Sequence, residues 1–391
     1  MAAKAVINLD AIAANVHTLR ARAGSGAAFM AVVKANGYGH GAVPVARAAI
    51  AAGAGWLGVA QVSEALEVVR GIGGLPDGVR LMTWIFGPNG HLREAALAGL
   101  DLGVSTPGQV EAAALAARAA GVPLRLHLKI DSGLGRAGAP PFAGQFEALV
   151  RAALGFEAEG SVRVVGVWSH FARADEPGHP SIQAQADAFA GGVALAERLG
   201  ARLEVRHIAN SAAVLTRPDL AYDLVRPGLA MYGLSPIPDL ATAAELDLVP
   251  AMTLEASLAT VKRLPPGHGV SYGHLYTVPD DIGEQGTVTG TVPLGYGDGI
   301  FRSASNRAPV QVGGRWLKIA GRVCMDQFVV DLGPAAPERA GDRVVLFGPG
   351  LGGEPTAQDW AEAAGTISYE ITTRLPLHVP REYVGGGAAR L

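Results

Sequence analysis

Residues 124–169 read LRLHLKIDSGLGRAGAPPFAGQFEALVRAALGFEAEGSVRVVGVWS. The β-rich run Leu124–Ile130 is followed by a helical segment at Phe142–Leu154 and a second β-rich run at Val162–Ser169. Strand, helix and strand in that order make a βαβ unit with parallel strands. The alternation extends both ways. Upstream, Asp10–Arg22 has the apolar spacing of a helix with Asp10 as its N-cap, and strands are predicted at Phe29–Val33, Trp56–Ala60, Arg80–Trp84 and Leu102–Ser105. Downstream, strands are predicted at Val205–Ile208 and Leu224–Tyr232. Further helices are expected at Val62–Arg70, Pro107–Ala120 and Ile182–Leu199, with capping signals at Thr106-Pro107 and Ser181. Eight strands alternating with helices over residues 9–236 predict an α/β architecture, a (β/α)8 TIM-type barrel. A doubly wound sheet is the alternative, because periodicity cannot show closure.

Past Pro236 the pattern changes. Met252–Val261, Gly286–Pro293, Pro309–Val312, Leu317–Ile319, Phe328–Leu332 and Arg343–Phe347 are β-rich, and turns such as Pro265-Pro266-Gly267 and Gly313-Gly314 separate them. Residues 237–384 therefore read as a mostly β domain with one short helix near Gln358–Ala364, capped by Thr356 or Asp359. Residues 385–391 read as a flexible tail.

Composition narrows the function. The 391 residues are 49% hydrophobic and 17% charged, enough apolar material for a large core and too much for a disordered chain. A net charge of −3 without a basic tract argues against nucleic acid and against an anionic membrane surface as partners. The only cysteine, Cys324, rules out an intrachain disulfide and suits a reducing compartment. The start, MAAKAVINLDAI, lacks the pattern of a signal peptide, and the longest uncharged apolar stretch, Ala48 to Val62, is too short for a bilayer span. A cytoplasmic location is expected.

In a (β/α)8 barrel, reactive groups gather where strands end at their C-terminal side. Lys34 follows the first predicted strand, Lys129 and Asp131 end the fifth, and His170 ends the sixth. Asn210 and Ser211 end the seventh, and Arg226 lies in the eighth. One such residue is commonly a cap or a loop anchor; this many on one rim predict a pocket. Lysine is also scarce: Lys4, Lys34, Lys129, Lys262 and Lys318 are all there are. A Schiff-base amine is one role that arginine cannot take.

The motifs AVVKANGYGHG (31–41), KIDSGLGRAG (129–138), WSHFA (168–172), HIANSA (207–212), RPGLAMYGLSP (226–236), SYG (271–273), LGYGDG (294–299) and GRVCMDQ (321–327) together resemble the alanine racemases, fold-type III pyridoxal-phosphate enzymes. The resemblance runs from Ile7 to about Tyr383. It implies a barrel plus a β domain to which residues 1–8 add a strand, a homodimer with shared active sites, and no metal. It also implies an isomerase that interconverts L- and D-alanine and so supplies D-alanine for peptidoglycan. Lys34 is then the Schiff-base lysine of pyridoxal 5'-phosphate. Tyr38, Asn210, Ser211, Gly228, Leu229 and Tyr369 bind its phosphate end. Arg226 meets the pyridine nitrogen, with His207 behind it. Racemisation needs a base on each face of Cα: Lys34 serves one, and Tyr272 of the partner subunit, activated by His170, serves the other. Lys129 carries a carbamate that binds Arg136, which holds the cofactor phenolic oxygen. Met325, beside Asp326, touches the substrate carboxylate from the partner subunit. Asp175, Tyr296, Arg302, Arg322 and Ile367 line the corridor by which substrate arrives.

Other readings stay open at this point. A decarboxylase of the same fold type would carry EPGR-like phosphate glycines and a Cys-Glu pair, where RPG and CMDQ stand here. A broad-specificity or serine racemase differs only in its side-chain pocket. A non-catalytic cofactor carrier would need Lys34 but not Tyr272.

Overall fold

The computed structural model describes residues 3–87 and 90–386. Strand β1 (Ala3–Asn8) precedes eight parallel strands: β2 (Ala28–Val32), β3 (Trp56–Gln61), β4 (Arg80–Ile85), β5 (Asp101–Val104), β6 (Leu124–Lys129), β7 (Val162–Trp168), β8 (Val205–His207) and β9 (Leu224–Val225). From β2 to β8 each strand pairs with the next, and β2 also pairs with β9. Between β8 and β9 the ring is drawn closed by the N–H of Asp223 to the carbonyl of Arg206 (3.1 Å) and that of Arg226 to Ala209 (3.0 Å). Helices lie outside, as in a TIM-type barrel.

Alternation along β6 shows how the wall is built. Leu124, Leu126 and Leu128 are buried on one face, while His127 and Lys129 are buried on the other. His127 meets Trp56, Asp101 and His207 from three other strands, so this polar face points into the barrel. Bulky rings fill the interior, and glycines on neighbouring strands make room. A Cβ on Gly103 would lie 2.9 Å from the Trp168 ring, and one on Gly166 would lie 2.7 Å from His127 Nδ1.

The eighth barrel strand is far shorter than Leu224–Tyr232. It stops at Val225, and Leu229–Tyr232 forms a 3-10 turn. Pro227 lacks a ladder donor, and the chain breaks there. Arg226 consequently sits just past the strand end. The first helix is Leu9–Ala23, capped by Asn8, whose side-chain oxygen accepts from the N–H groups of Asp10 and Ala11; Asp10 is the acidic residue of its first turn. Helix Pro180–Arg198 is capped by His179 rather than Ser181.

The remaining strands are β10 (Met252–Ser257), β11 (Thr260–Leu264), β12 (Gly269–Val270), β13 (Tyr276–Thr277), β14 (Thr287–Val292), β15 (Pro309–Val312), β16 (Arg315–Lys318), β17 (Phe328–Gly333), β18 (Arg343–Phe347) and β19 (Arg381–Val384). Met252–Val261, expected as one run, is split into β10 and β11, which belong to different sheets. The larger sheet has the order β16-β15-β18-β10-β1-β19, so β1 lies between β10 and β19. Helix Ala357–Ala364 has Thr356 and Asp359 as reciprocal caps, and a second helix, Ser368–Thr373, was not evident from periodicity. The predicted tail falls mostly on residues 387–391, outside the described residues. Among the described residues no helix is long and apolar enough to cross a membrane.

Candidate active site

After β2 the backbone does something unusual. Ala35, Asn36, Gly37 and Tyr38 all have φ between 51° and 62°, a left-handed turn directly following Lys34. Three of these residues carry a Cβ, which makes the conformation costly, on the order of 1–2 kcal/mol each. The surroundings hold it. Glu64 accepts from the N–H groups of Ala35 (2.7 Å), Ala60 (3.0 Å) and Gln61 (2.9 Å), and the Asn36 side chain accepts from Ala42 N–H (3.0 Å). Glu64→Ala removes three charge-assisted bonds from this junction. It should cost about 2 kcal/mol of stability, read by urea denaturation, whereas Glu67→Ala one turn along should be near neutral.

The turn places Lys34 and Tyr38 on a cavity of about 250 Å³ at the C-terminal rim of the barrel. Of the residues expected in the pocket, it brings together Lys34, Tyr38, Lys129, Arg136, His170, Asn210, Ser211, Arg226, Gly228, Leu229 and Tyr369. Val32, Trp84 and Trp168 complete the lining. Trp84 lies in a segment where the motifs give no register, and Trp168 stands inside WSHFA with no reactive atom to mark it.

Four of the lining side chains are basic, Lys34, Lys129, Arg136 and Arg226, and none is acidic. Burial and the neighbouring Arg136 hold the Lys34 amine below its ordinary pKa. Burial, then Arg136 and Arg226, bring Lys129 down to about 8. Each shift enlarges the neutral, nucleophilic fraction of the amine. Burial lowers Arg226 to about 9, which leaves it a cation at pH 7. The cavity is an anion site by composition.

Arg226 is fixed from several sides. Its guanidinium donates to the carbonyls of Ser169 (2.6 Å) and Ile208 (3.3 Å), to His207 Nδ1 (2.9 Å) and to His170 Nδ1 (3.4 Å). Burial, followed by Arg226, keeps His170 well below its ordinary pKa and therefore neutral. With Nδ1 accepting, its proton sits on Nε2.

At the other end, Ser211 Oγ accepts from the N–H groups of Gly228 (2.9 Å) and Ala230 (3.3 Å), which leaves its own O–H free to donate. A Cβ on Gly228 would lie 2.3 Å from the Tyr38 hydroxyl, so only glycine lets that hydroxyl reach the peptide. Tyr38 is stacked on Tyr232 (4.7 Å), and burial pushes its pKa well up, so it is a neutral donor. Burial and the charge of Asp175 push Tyr369 up to about 12. Asn210 spends its side-chain oxygen on the N–H of Ala213 as a helix cap. Trp168 Nε1 is buried with no acceptor among the described residues. Donors at both ends with flat rings between them suit a planar anionic ligand.

Tyr272 and Met325 are elsewhere. They line a separate open recess of about 240 Å³ with Ser271, Cys324 and Asp326, and they are 70% and 54% exposed. The Tyr296 loop is tied to this recess by N–H bonds from Tyr296 to the Cys324 carbonyl (2.9 Å) and from Gly297 to that of Met325 (2.8 Å). Arg322 adjoins it, its carbonyl accepting from Ser271 Oγ at 2.6 Å. Ile367 and Asp175 are exposed on the Tyr369 side, and Arg302 is exposed.

Comparison with known proteins gives the family. The family described as alanine racemase, N-terminal domain, matches residues 7–236, and alanine racemase, C-terminal domain, matches residues 251–383. An alanine racemase of Streptomyces coelicolor is 59% identical over 382 residues, 98% of this chain and 96% of that protein. The solved structure of alanine racemase from that organism superposes with a TM-score of 0.94 over 98% of each chain. Alanine racemase from a D-cycloserine-producing Streptomyces lavendulae, 55% identical, also gives a TM-score of 0.94, covering 99% of this chain and 98% of the other. The chain belongs to the alanine racemase family.

Proposed function

We propose that the protein interconverts L- and D-alanine with pyridoxal 5'-phosphate, in an active site completed by a second copy of the chain. The observation that carries this reading is the single cavity in which a pKa-lowered Lys34 amine, the Arg226 guanidinium and the Tyr38–Ser211–Gly228 donor cluster meet with no carboxylate among the lining. The donor set fits the group. Tyr38, Ser211, Asn210, Leu229, Tyr369 and the Gly228 peptide would hold a phosphate, as loops after the last barrel strands commonly do. Arg226 would face the pyridine nitrogen, Arg136 the phenolic oxygen, and Lys34 the aldehyde carbon. The cofactor, when bound, supplies an electron-withdrawing ring that acidifies the Cα hydrogen of an attached amino acid.

Two groups then handle the proton. Lys34 Nζ takes it from, or returns it to, one face of Cα. The hydroxyl oxygen of Tyr272 of the partner subunit does the same on the other face. Tyrosine is a weak base at its ordinary pKa near 10 and needs stabilisation as phenolate. His170 can give it, because Arg226 occupies Nδ1 and leaves an Nε2–H to donate. The exposure of Tyr272, Met325, Tyr296 and Ile367 supports a partner surface covering them. Barrel residues 9–236 would supply the cofactor site and residues 237–384, with strand 1–8, the second base. Lys129, with a pKa of about 8, has enough neutral amine to add CO2. Its nitrogen bonds the carbon and loses a proton, giving a carbamate beside Arg136. We place the enzyme in the cytoplasm, making D-alanine for peptidoglycan.

The direct test is the decay of the circular-dichroism signal of L-alanine with added pyridoxal phosphate; an unchanged signal would defeat the proposal. A decarboxylase would instead release CO2. A cavity of about 250 Å³ is small for a ligand site, and Tyr38 and Tyr369 crowd it further. Alanine should therefore be preferred, serine poorer, and lysine or arginine hardly turned over. Comparable kcat/KM for alanine and arginine would refute this. Gly228→Ala forces the Tyr38 hydroxyl aside by about an ångström and should weaken cofactor binding about tenfold, measured by fluorescence titration.

A further inference from the structure

Beneath the cavity, four buried side chains form a continuous line through the barrel interior. Arg226 Nη1 is 2.9 Å from His207 Nδ1, His207 Nε2 is 2.9 Å from His127 Nδ1, and His127 Nε2 is 3.1 Å from Asp101 Oδ2. Asp101, His127 and His207 are fully buried, and Arg226 nearly so. The line starts at the first residue of β5, passes through β6 and β8, and ends just past β9 under the site. We propose that Asp101 and His127 are positioning residues for the active site, acting through a one-directional hydrogen-bond chain that presents Arg226 to the cavity. The chain rests on the reading of Arg226 given above.

The direction follows from which atoms can donate. A guanidinium only donates, so His207 Nδ1 must accept, and the His207 proton is on Nε2. That proton points at His127 Nδ1, which must accept in turn, so the His127 proton is on Nε2. A carboxylate only accepts, and Asp101 receives it. Both imidazoles are neutral and neither can turn over. If His127 were doubly protonated, His207 would have to accept at both nitrogens, which needs an imidazolate. The low pKa of His207, caused by burial and then by Arg226, agrees with a neutral ring. Aromatic neighbours fix the planes: Trp168 stacks on His207 at 5.8 Å and 9°, and Trp56 meets His127 edge-on at 5.5 Å and 89°.

The lower end is anchored. Arg125 Nε donates to both oxygens of Asp101 at 3.1 Å, Arg80 stands at 3.9 Å, and Glu204 holds the far side of Arg125 at 2.6 Å. The upper end has no such pair: Arg226 shows no acid within ion-pairing distance among the described residues. The chain links this unpaired cation to a carboxylate at the opposite end of the barrel through two polarised imidazoles. Without the ordered tautomers, an N–H of His207 would face Arg226 and push it from its place.

Asp101→Asn tests this with almost no change of shape. Its amide oxygen stays on Arg125, and its NH2 turns to His127 Nε2. His127 must then carry its proton on Nδ1 and give it to His207 Nε2, and His207 presents Nδ1–H to Arg226. In the 15N-histidine-labelled holoenzyme, 15N–1H correlations should show Nε2 protonation of both rings in the wild type. His127→Gln and His207→Gln assign the signals among the ten histidines. In Asp101→Asn both protons should move to Nδ1, with kcat for alanine racemisation down about tenfold and KM little changed. A wild-type proton on Nδ1 of either ring overturns the proposal, whether or not the variant folds. Reversed tautomers with unchanged kcat overturn the positioning role. A wild type that shows the chain but does not racemise alanine overturns the functional reading, and with it the role of Arg226, while leaving the chain intact.

Discussion

Lys34→Ala should give a colourless protein with about a thousandfold or greater loss of alanine racemisation, still folded by far-ultraviolet circular dichroism. The side chain has to meet two demands at once. It must present an unprotonated amine, and burial beside Arg136 lowers its pKa to that end. It must also reach the cavity from the rim, which the left-handed turn at 35–38 ensures by carrying the chain away immediately after it. Lys129 shares the cavity and is also depressed, to about 8, so it is the real competitor for the aldehyde. The two are separable by chemistry. Borohydride should leave a pyridoxyl group on Lys34 Nζ in the wild type, located by peptide mass analysis. Recovery of the label on Lys129 or Lys318 would sink the assignment. The alanine side chain removes bulk from a partly exposed position, so stability should change little. A collapse of folding would mean that the lysine is structural.

The barrel was legible because short β-rich runs alternate along the chain with segments whose apolar residues recur every three to four positions, as in helices. Strand ends carried the polar residues, and the resemblance of the motifs implied their roles. Two parts were hidden. In LRLHLK the polar alternates look like a solvent face, yet His127 points inward, because this barrel packs its interior with imidazoles and indoles instead of branched aliphatics. No local pattern could announce that His127, Asp101 and His207, far apart in sequence, form one line. The apolar run after Arg226 likewise looked like more strand, although Pro227 ended it. For Glu64 there was a signal in retrospect: an acid three residues past Gln61 at a helix start is a capping pattern. Its further grip on Ala35 could be seen only in three dimensions.

Tyr272 poses the opposite problem, since the sequence motif is plain and the single chain does not bring it to Lys34. Lys34 lines the rim cavity, while Tyr272 is 70% exposed on a different recess with Met325. If each active site takes Lys34 from one chain and Tyr272 from the other, the two variants should complement. Lys34→Ala and Tyr272→Ala homodimers should each be nearly inactive. Unfolded together in equal amounts and refolded, about half of the dimers are mixed. A mixed dimer has one site with both lesions and one with neither, so half of its sites work. Half of one half is a quarter, and roughly a quarter of wild-type activity should return. Were both bases drawn from one chain, every site would keep one lesion and mixing would restore nothing. Differently tagged subunits, purified through both tags, show that mixed dimers have formed. An inactive mixture containing them would refute the shared site and place Tyr272 in its own subunit's pocket. That placement would require the recess holding Tyr272 and Met325 to move onto the barrel rim within one chain.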